Sequence, residues 1–143
     1  MQIVLASASP RRLELLARIG VVPASIVAPD VDESLLPGEL PLPHARRLAE
    51  AKARAVARAA GAVVLAGDTV VALGRRILGK ADTPDDVRAM LTLLSGRRHQ
   101  VVSAIAVIDG EGRLRRRESR TIVAFKRLSA SEIAGYVECG EGL

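Results

Sequence analysis

Residues 5–12 read Leu5-Ala6-Ser7-Ala8-Ser9-Pro10-Arg11-Arg12, and the reading of this stretch decides the fold. The apolar run Ile3 to Ala6, within a strand read from Gln2 to Ala6, passes directly into small hydroxyl residues. Pro10 suits the first position of a helix, where its missing N–H costs nothing, with Ser9 as the N-cap. The helix predicted from Pro10 to Ile19 is apolar at Leu13, Leu15, Leu16 and Ile19 and stops at Gly20. Arg11 and Arg12 then fall in the first turn, at the positive end of the helix dipole, where cations are unfavourable. A bound polyanion would reverse that penalty, because free N–H groups, dipole and guanidinium forks would all address it. Plain solvated arginines are the alternative, and the residues alone do not separate the two.

Outward from this stretch, strands and helices alternate. Val21 to Val27 is Val-rich but broken by Pro23, and reads as a strand. Pro29 to Pro43 holds four prolines with Asp30, Asp32, Glu33 and Glu39. It is a long loop, which favours a binding role over a plain connection. His44 to Ala60 is a helix with Leu48, Ala51, Ala55, Val56 and Ala59 on one stripe, and Glu50 and Arg54 spaced to pair on its flank. Ala62 to Ala66 is a buried strand, interrupted at Gly67-Asp68-Thr69 and resumed over Val70 to Leu73. Gly74-Arg75-Arg76 is a hairpin turn into Ile77-Leu78-Gly79-Lys80. Thr83-Pro84-Asp85-Asp86 starts a helix whose stripe is Val87, Met90, Leu91 and Leu94, ended by Gly96. Strands Gln100 to Ile108 and Arg113 to Phe125 are joined at Asp109-Gly110-Glu111-Gly112. Ser129 and Glu132 form a capping box for a last helix, to about Glu138. The pattern is α/β, a mixed sheet with helices packed on it.

The 143 residues suit one domain with a real core. Aromatic residues are 1% of the chain, so the core must be aliphatic and a base-stacking surface for single-stranded nucleic acid is disfavoured. The net charge of +5 suits an anionic partner. Much of it lies in Arg113-Leu114-Arg115-Arg116-Arg117, which reads as an exposed strand edge protected by charge. The lone Cys139 excludes an internal disulfide and a cysteine metal cluster. No apolar run has the length of a membrane span, and no signal peptide is evident, so cytoplasmic residence is the default.

Asp68 is the best candidate for catalysis. A carboxylate between apolar runs is partly desolvated unless paired or metal-bound, and suits a general base. A turn aspartate capping its own backbone is the competing reading. Lys80 follows Gly79 near the same end of the sheet. Lys52, flanked by alanines, is either a snorkelling surface residue or a point charge for a phosphate. Asp32 and Glu33 could hold a hard cation such as Mg2+ with substrate oxygens. His44 and His99, far apart, make no metal site. Ser7 and Ser9 lack the nucleophile elbow of a hydrolase, and Walker-type and GxGxxG loops are absent.

Taken together, Leu5 to Arg12, Asp32-Glu33, Arg47 to Ala53, Gly67-Asp68-Thr69-Val70-Val71, Ile77 to Lys80 and Leu94 to Val101 resemble the Maf family of nucleoside triphosphate pyrophosphatases. The order and spacing agree across nearly the whole chain. The resemblance implies an α/β fold with a curved mixed sheet flanked by helices and a cleft between two lobes, similar to the inosine triphosphate pyrophosphatases. It implies metal-dependent cleavage of a nucleoside triphosphate to the monophosphate and pyrophosphate, with Mg2+ or Mn2+ as the cation. On matching positions, Asp68 would accept the proton of the attacking water. Ser7, Arg12, Lys52 and Lys80 would bind the substrate, and Glu33 with Asp68 would hold metal. Arg11 and Thr69 match the subgroup acting on dTTP and UTP.

The same resemblance sets expectations about extent and alternatives. Residues 1–143 read as one Maf-like domain that stops before the family's Lys-Ala-Gly and Gly-Ile-Gln-Gly motifs. The competing functions are the same hydrolysis on 7-methyl-GTP or another modified nucleotide, and a non-catalytic nucleotide or nucleic-acid binding module. The expected partner is a nucleoside triphosphate, with a second copy of the chain retained as a candidate and no membrane.

Overall fold

The computed structural model describes residues 2–60 and 62–142, with side chains of 57–60 left aside. Among the described residues the chain order is β1 (Ile3–Ala6), α1 (Pro10–Arg18), β2 (Ser25–Val27), α2 (Pro41–Ala60), β3 (Val63–Leu73), β4 (Arg76–Leu78), α3 (Pro84–Leu94), β5 (Arg98–Ile108), β6 (Leu114–Ala124) and α4 (Ala130–Cys139). The six strands form one sheet in the order β2-β1-β3-β5-β6, with β4 on β3. β1 is parallel to both β2 and β3, with Leu5 opposite Ile26 and Leu65. β4 is antiparallel to β3, so the sheet is mixed, as the sequence predicts. The chain divides into two compact units, Met1–Thr69 with Ser103–Ser119, and Val70–Val102 with Arg120–Leu143.

In the first unit the core is aliphatic. Leu5, Leu48, Val64, Ala53 and Ala66 are almost wholly withdrawn from solvent. Each such leucine contributes about 1.5–3 kcal/mol through burial. Small residues on α2 allow close approach to the strands, which is why an Ala-rich helix serves here. α2 begins at Pro41, three residues before the sequence reading placed it, because prolines are tolerated throughout a first turn whose N–H groups lack helical partners. The predicted stripe residue Ala59 lies outside the described side chains. β2 is only three residues, since Pro23 confines it to Ser25–Val27. α1 buries no residue fully, and Leu15 and Ile19 are exposed.

In the second unit, Gly74 adopts a φ of +61° and closes the turn between Leu73 and Arg76, as a glycine in a tight hairpin does. The α3 cap is reciprocal: Thr83 Oγ1 accepts from Asp86 N, and Asp86 Oδ2 accepts from Thr83 N. Val87 and Leu94 are the buried residues of its stripe, with Met90 and Leu91 half-buried. Ser129 and Glu132 make the same box for α4, which ends on the left-handed Gly140.

Two expectations are corrected. Gly67-Asp68-Thr69 does not interrupt a strand; β3 runs unbroken from Val63 to Leu73. Gly67 stays on the negative side of φ, so the glycine does not turn the chain. Ser9 occupies the N-cap position of α1, but its side chain caps nothing. Ser7 Oγ instead accepts from Ser9 N at 3.0 Å, which fixes the strand-to-helix turn one step earlier.

Candidate active site

The first unit brings six of the expected residues together through two hydrogen-bonded groups. One centres on Lys52. Its ammonium lies 3.1 Å from Asp68 Oδ1 and 2.9 Å from Glu33 Oε1. Lys52 and Asp68 are both buried, at 8% and 7% exposure. Lys52 is therefore not a snorkelling surface lysine: it is buried, and its charge ends on two carboxylates. Asp68 is not a turn aspartate either, because it stands in mid-strand and spends an oxygen on α2.

The other group centres on Arg12. Its guanidinium reaches Ser7 Oγ and Thr69 Oγ1, each at 3.4 Å. Thr69 Oγ1 is also 3.2 Å from Ser103 Oγ. A Cβ on Gly67 would lie 3.3 Å from Arg12 Nε and 3.3 Å from the Ala104 carbonyl. The glycine is therefore a clearance for the guanidinium and for β5, and this is its function in an otherwise regular strand. Arg12, Asp68, Thr69 and Ser103 line one end of a hollow of about 420 Å³, and Leu5, Leu15, Leu16, Ile19, Leu65 and Ile105 contribute to the rest. Arg11 is exposed in the first turn of α1. Asp32 bonds Ser34 through both its backbone N and Oγ, which lowers its carboxyl below the usual aspartate range.

Lys80 belongs to the second unit. It is exposed just past β4 and lines a separate hollow of about 270 Å³ with Arg76, Leu78 and Asp86. The arginine run of β6 is exposed, as a charged edge strand should be, with Arg46 on Glu118 and Arg116 on Glu50 tying it to α2.

Residues 2–143 match the model of the Maf-like protein family. The chain belongs to the Maf family. Among the Maf relatives, the dTTP/UTP pyrophosphatase of Sphingopyxis alaskensis is 60% identical over 141 residues, 99% of this chain and 74% of that protein. The dTTP/UTP pyrophosphatase of Novosphingobium aromaticivorans is likewise 60% identical, covering 98% of this chain and 70% of its own. Of solved structures, a nucleoside-triphosphatase described as a dITP/XTP pyrophosphatase from Mycobacterium abscessus is 25% identical with a TM-score of 0.55, covering 91% and 76% of the two chains. A HAM1 protein from Coxiella burnetii has a TM-score of 0.61 at 19% identity, covering 87% and 72%, and supports the fold alone.

Sequence reasoning missed three residues near this Maf site. Ser103 braces Thr69, and nothing in the strand pattern singles out one serine. Glu39 and His44 are buried side chains within hydrogen-bond distance, with His44 Nδ1 2.6 Å from Glu39 Oε1. The signal available was a histidine at the start of a helix, five residues after a loop acid.

Proposed function

We propose that this chain is a nucleoside triphosphate pyrophosphatase that hydrolyses dTTP and UTP to the monophosphate and pyrophosphate with a divalent cation. The observation that carries the reading is the convergence of Asp68 and Glu33 on the Lys52 ammonium within a Maf-family chain. The names of the relatives support the substrate class.

Glu33 and Asp68 fit a divalent cation. Both oxygens already face a single positive centre, and Mg2+ takes one or two carboxylates and completes its shell with phosphate oxygens and water. Bound there, the cation would supply neutralisation of phosphate charge.

The remaining steps belong to the protein. Arg12, at the α1 N-terminus, pairs phosphate oxygens with a fixed fork. Asp68 takes the proton from a water whose oxygen attacks the α-phosphorus. The new P–O bond forms as the bond to the bridging oxygen breaks, and pyrophosphate leaves with that oxygen's electron pair. Lys52 neutralises charge on the leaving group, since such transfers depend on positioning and electrostatics. Lys80 is proposed as a further phosphate ligand on the family resemblance alone, and Arg11 and Thr69 as the residues that bias the base towards dTTP and UTP. The test is pyrophosphate release from a panel of dTTP, UTP, 7-methyl-GTP and ATP with Mg2+ or Mn2+. Release from dTTP and UTP is expected. Release from 7-methyl-GTP alone would overturn the substrate assignment, and no release from any nucleotide would overturn the enzyme.

A further inference from the structure

We propose that Glu39, His44 and Arg47 are positioning residues that hold the acidic loop on α2 so that the Glu33 carboxylate stays against Lys52; this rests on the reading of Glu33 as a metal carboxylate. The connection between β2 and α2 has no regular structure and is mostly exposed. Glu39 departs from that exposure, with a side chain only 7% exposed. Arg47 grips it with two prongs, Nε to Oε2 at 2.7 Å and Nη2 to Oε1 at 2.9 Å. His44 Nδ1 and the Leu36 backbone N meet the same Oε1, at 2.6 and 3.3 Å. Arg47 Nη2 also donates to the Ser34 carbonyl at 3.0 Å, on the residue next to Glu33.

The geometry has a consequence for the site. Arg47 precedes Lys52 by five residues on one helix, so the anchor of the loop and the partner of Glu33 are fixed by the same rigid backbone. Glu33 itself is half exposed, its side chain at 46%. A long, exposed glutamate on a proline-rich loop holds its position more tightly when its neighbours fix the backbone. The bidentate, charge-assisted contact at Glu39 supplies that restraint. The carboxyl of Glu39 is held well below its usual value by the Arg47 guanidinium first and by His44 next, against the opposing effect of burial.

The experiment measures Mn2+ affinity by electron paramagnetic resonance and amide hydrogen exchange over residues 31–36. The proteins are the unaltered chain, Arg47→Ala, Arg47→Lys, Glu39→Gln and Glu33→Gln. Arg47→Ala and Glu39→Gln are expected to weaken Mn2+ about tenfold and to speed exchange in the loop, while kcat at saturating metal changes little. Arg47→Lys, which keeps the charge but loses the fork, should recover part of the affinity. A merely structural role would lower the melting temperature of these variants and leave Mn2+ affinity where it was, which overturns the proposal. Should Glu33→Gln itself leave Mn2+ affinity unchanged, the metal reading of Glu33 falls. Loop exchange then decides the clamp: faster exchange in Arg47→Ala supports it, and unchanged exchange overturns it.

Discussion

The Lys52 ammonium lies 3.1 Å from the Asp68 carboxylate, and both side chains are buried. Neither charge could be left alone in such a place at tolerable cost. The pair therefore ties α2 to the middle of β3, and in doing so sets the carboxylate proposed to activate water.

Asp68→Asn keeps the size of the side chain and removes its capacity to accept a proton. Turnover is expected to fall by about 10²–10⁴, with nucleotide affinity retained. Pyrophosphate release and calorimetric nucleotide binding, measured on the same preparation, check this. Near-normal turnover would remove Asp68 from the base role.

Lys52→Met strands Asp68 without its partner. A loss of stability of about 3 kcal/mol is expected from leaving one member of a buried pair uncompensated. The double variant Lys52→Met/Asp68→Leu replaces both charges by apolar groups and should recover much of the loss. Urea unfolding of the single and double variants gives the coupling directly. Additive losses would show that the pair is not a unit.

Gly67→Ala puts a Cβ 3.3 Å from Arg12 Nε and from the Ala104 carbonyl. The carbonyl is backbone and cannot swing aside, so the guanidinium must give. A displacement of this kind is expected to lower kcat/KM about 10- to 100-fold, mainly through KM, while the far-ultraviolet spectrum stays unchanged. An unaltered KM would separate Arg12 from the phosphates.

Two strongly displaced carboxyls contribute most to the pH dependence of stability. Glu39 is lowered from 4.5 to about 2, chiefly by its bonds to Arg47, and Glu132 is lowered from 4.5 to about 2, chiefly by Lys126. A depressed carboxyl stabilises the fold fully above its unfolded value and loses that contribution as pH falls towards its folded one. Stability should therefore be level above about pH 5 and fall between 4.5 and 2. The buried Glu39 share is bounded by about 1.4 kcal/mol per unit of displacement. Added salt should erase the exposed Glu132 share and leave that of Glu39. Urea midpoints against pH at low and high salt, for the unaltered chain and Glu39→Gln, test this, and an identical slope in the variant would contradict it.

Thr83→Ala removes an acceptor that satisfies the Asp86 backbone N–H at the start of α3. The expected loss is about 1 kcal/mol. Thermal unfolding reads it, and an unchanged melting temperature would show that the cap contributes nothing.

Much of this protein is legible along the chain because the signals are local. Pro10 after a strand, Thr83-Pro84-Asp85-Asp86, Ser129 with Glu132 and the glycine at 74 each act within one turn of backbone, and the structure places α1, α3, α4 and the β3–β4 hairpin where they predict. The motifs from Leu5 to Val101 likewise point to the family before any coordinate is known.

What the chain alone left undecided depends on distance in space. The residues around 67–69 look like an interruption, since glycine and aspartate are poor strand formers, yet β3 runs through them, just past its pairing with β1 and with β5 as its other neighbour. Whether Lys52 snorkels or pairs, and whether Glu39 and His44 are solvated or buried, turns on which side chains meet when the loop folds back on α2 and α2 packs on β3. Local propensity fixes where a helix or strand begins. Only packing sets which charge is withdrawn from water, and a withdrawn charge must find its counter-charge, which is why the site is a property of the tertiary structure.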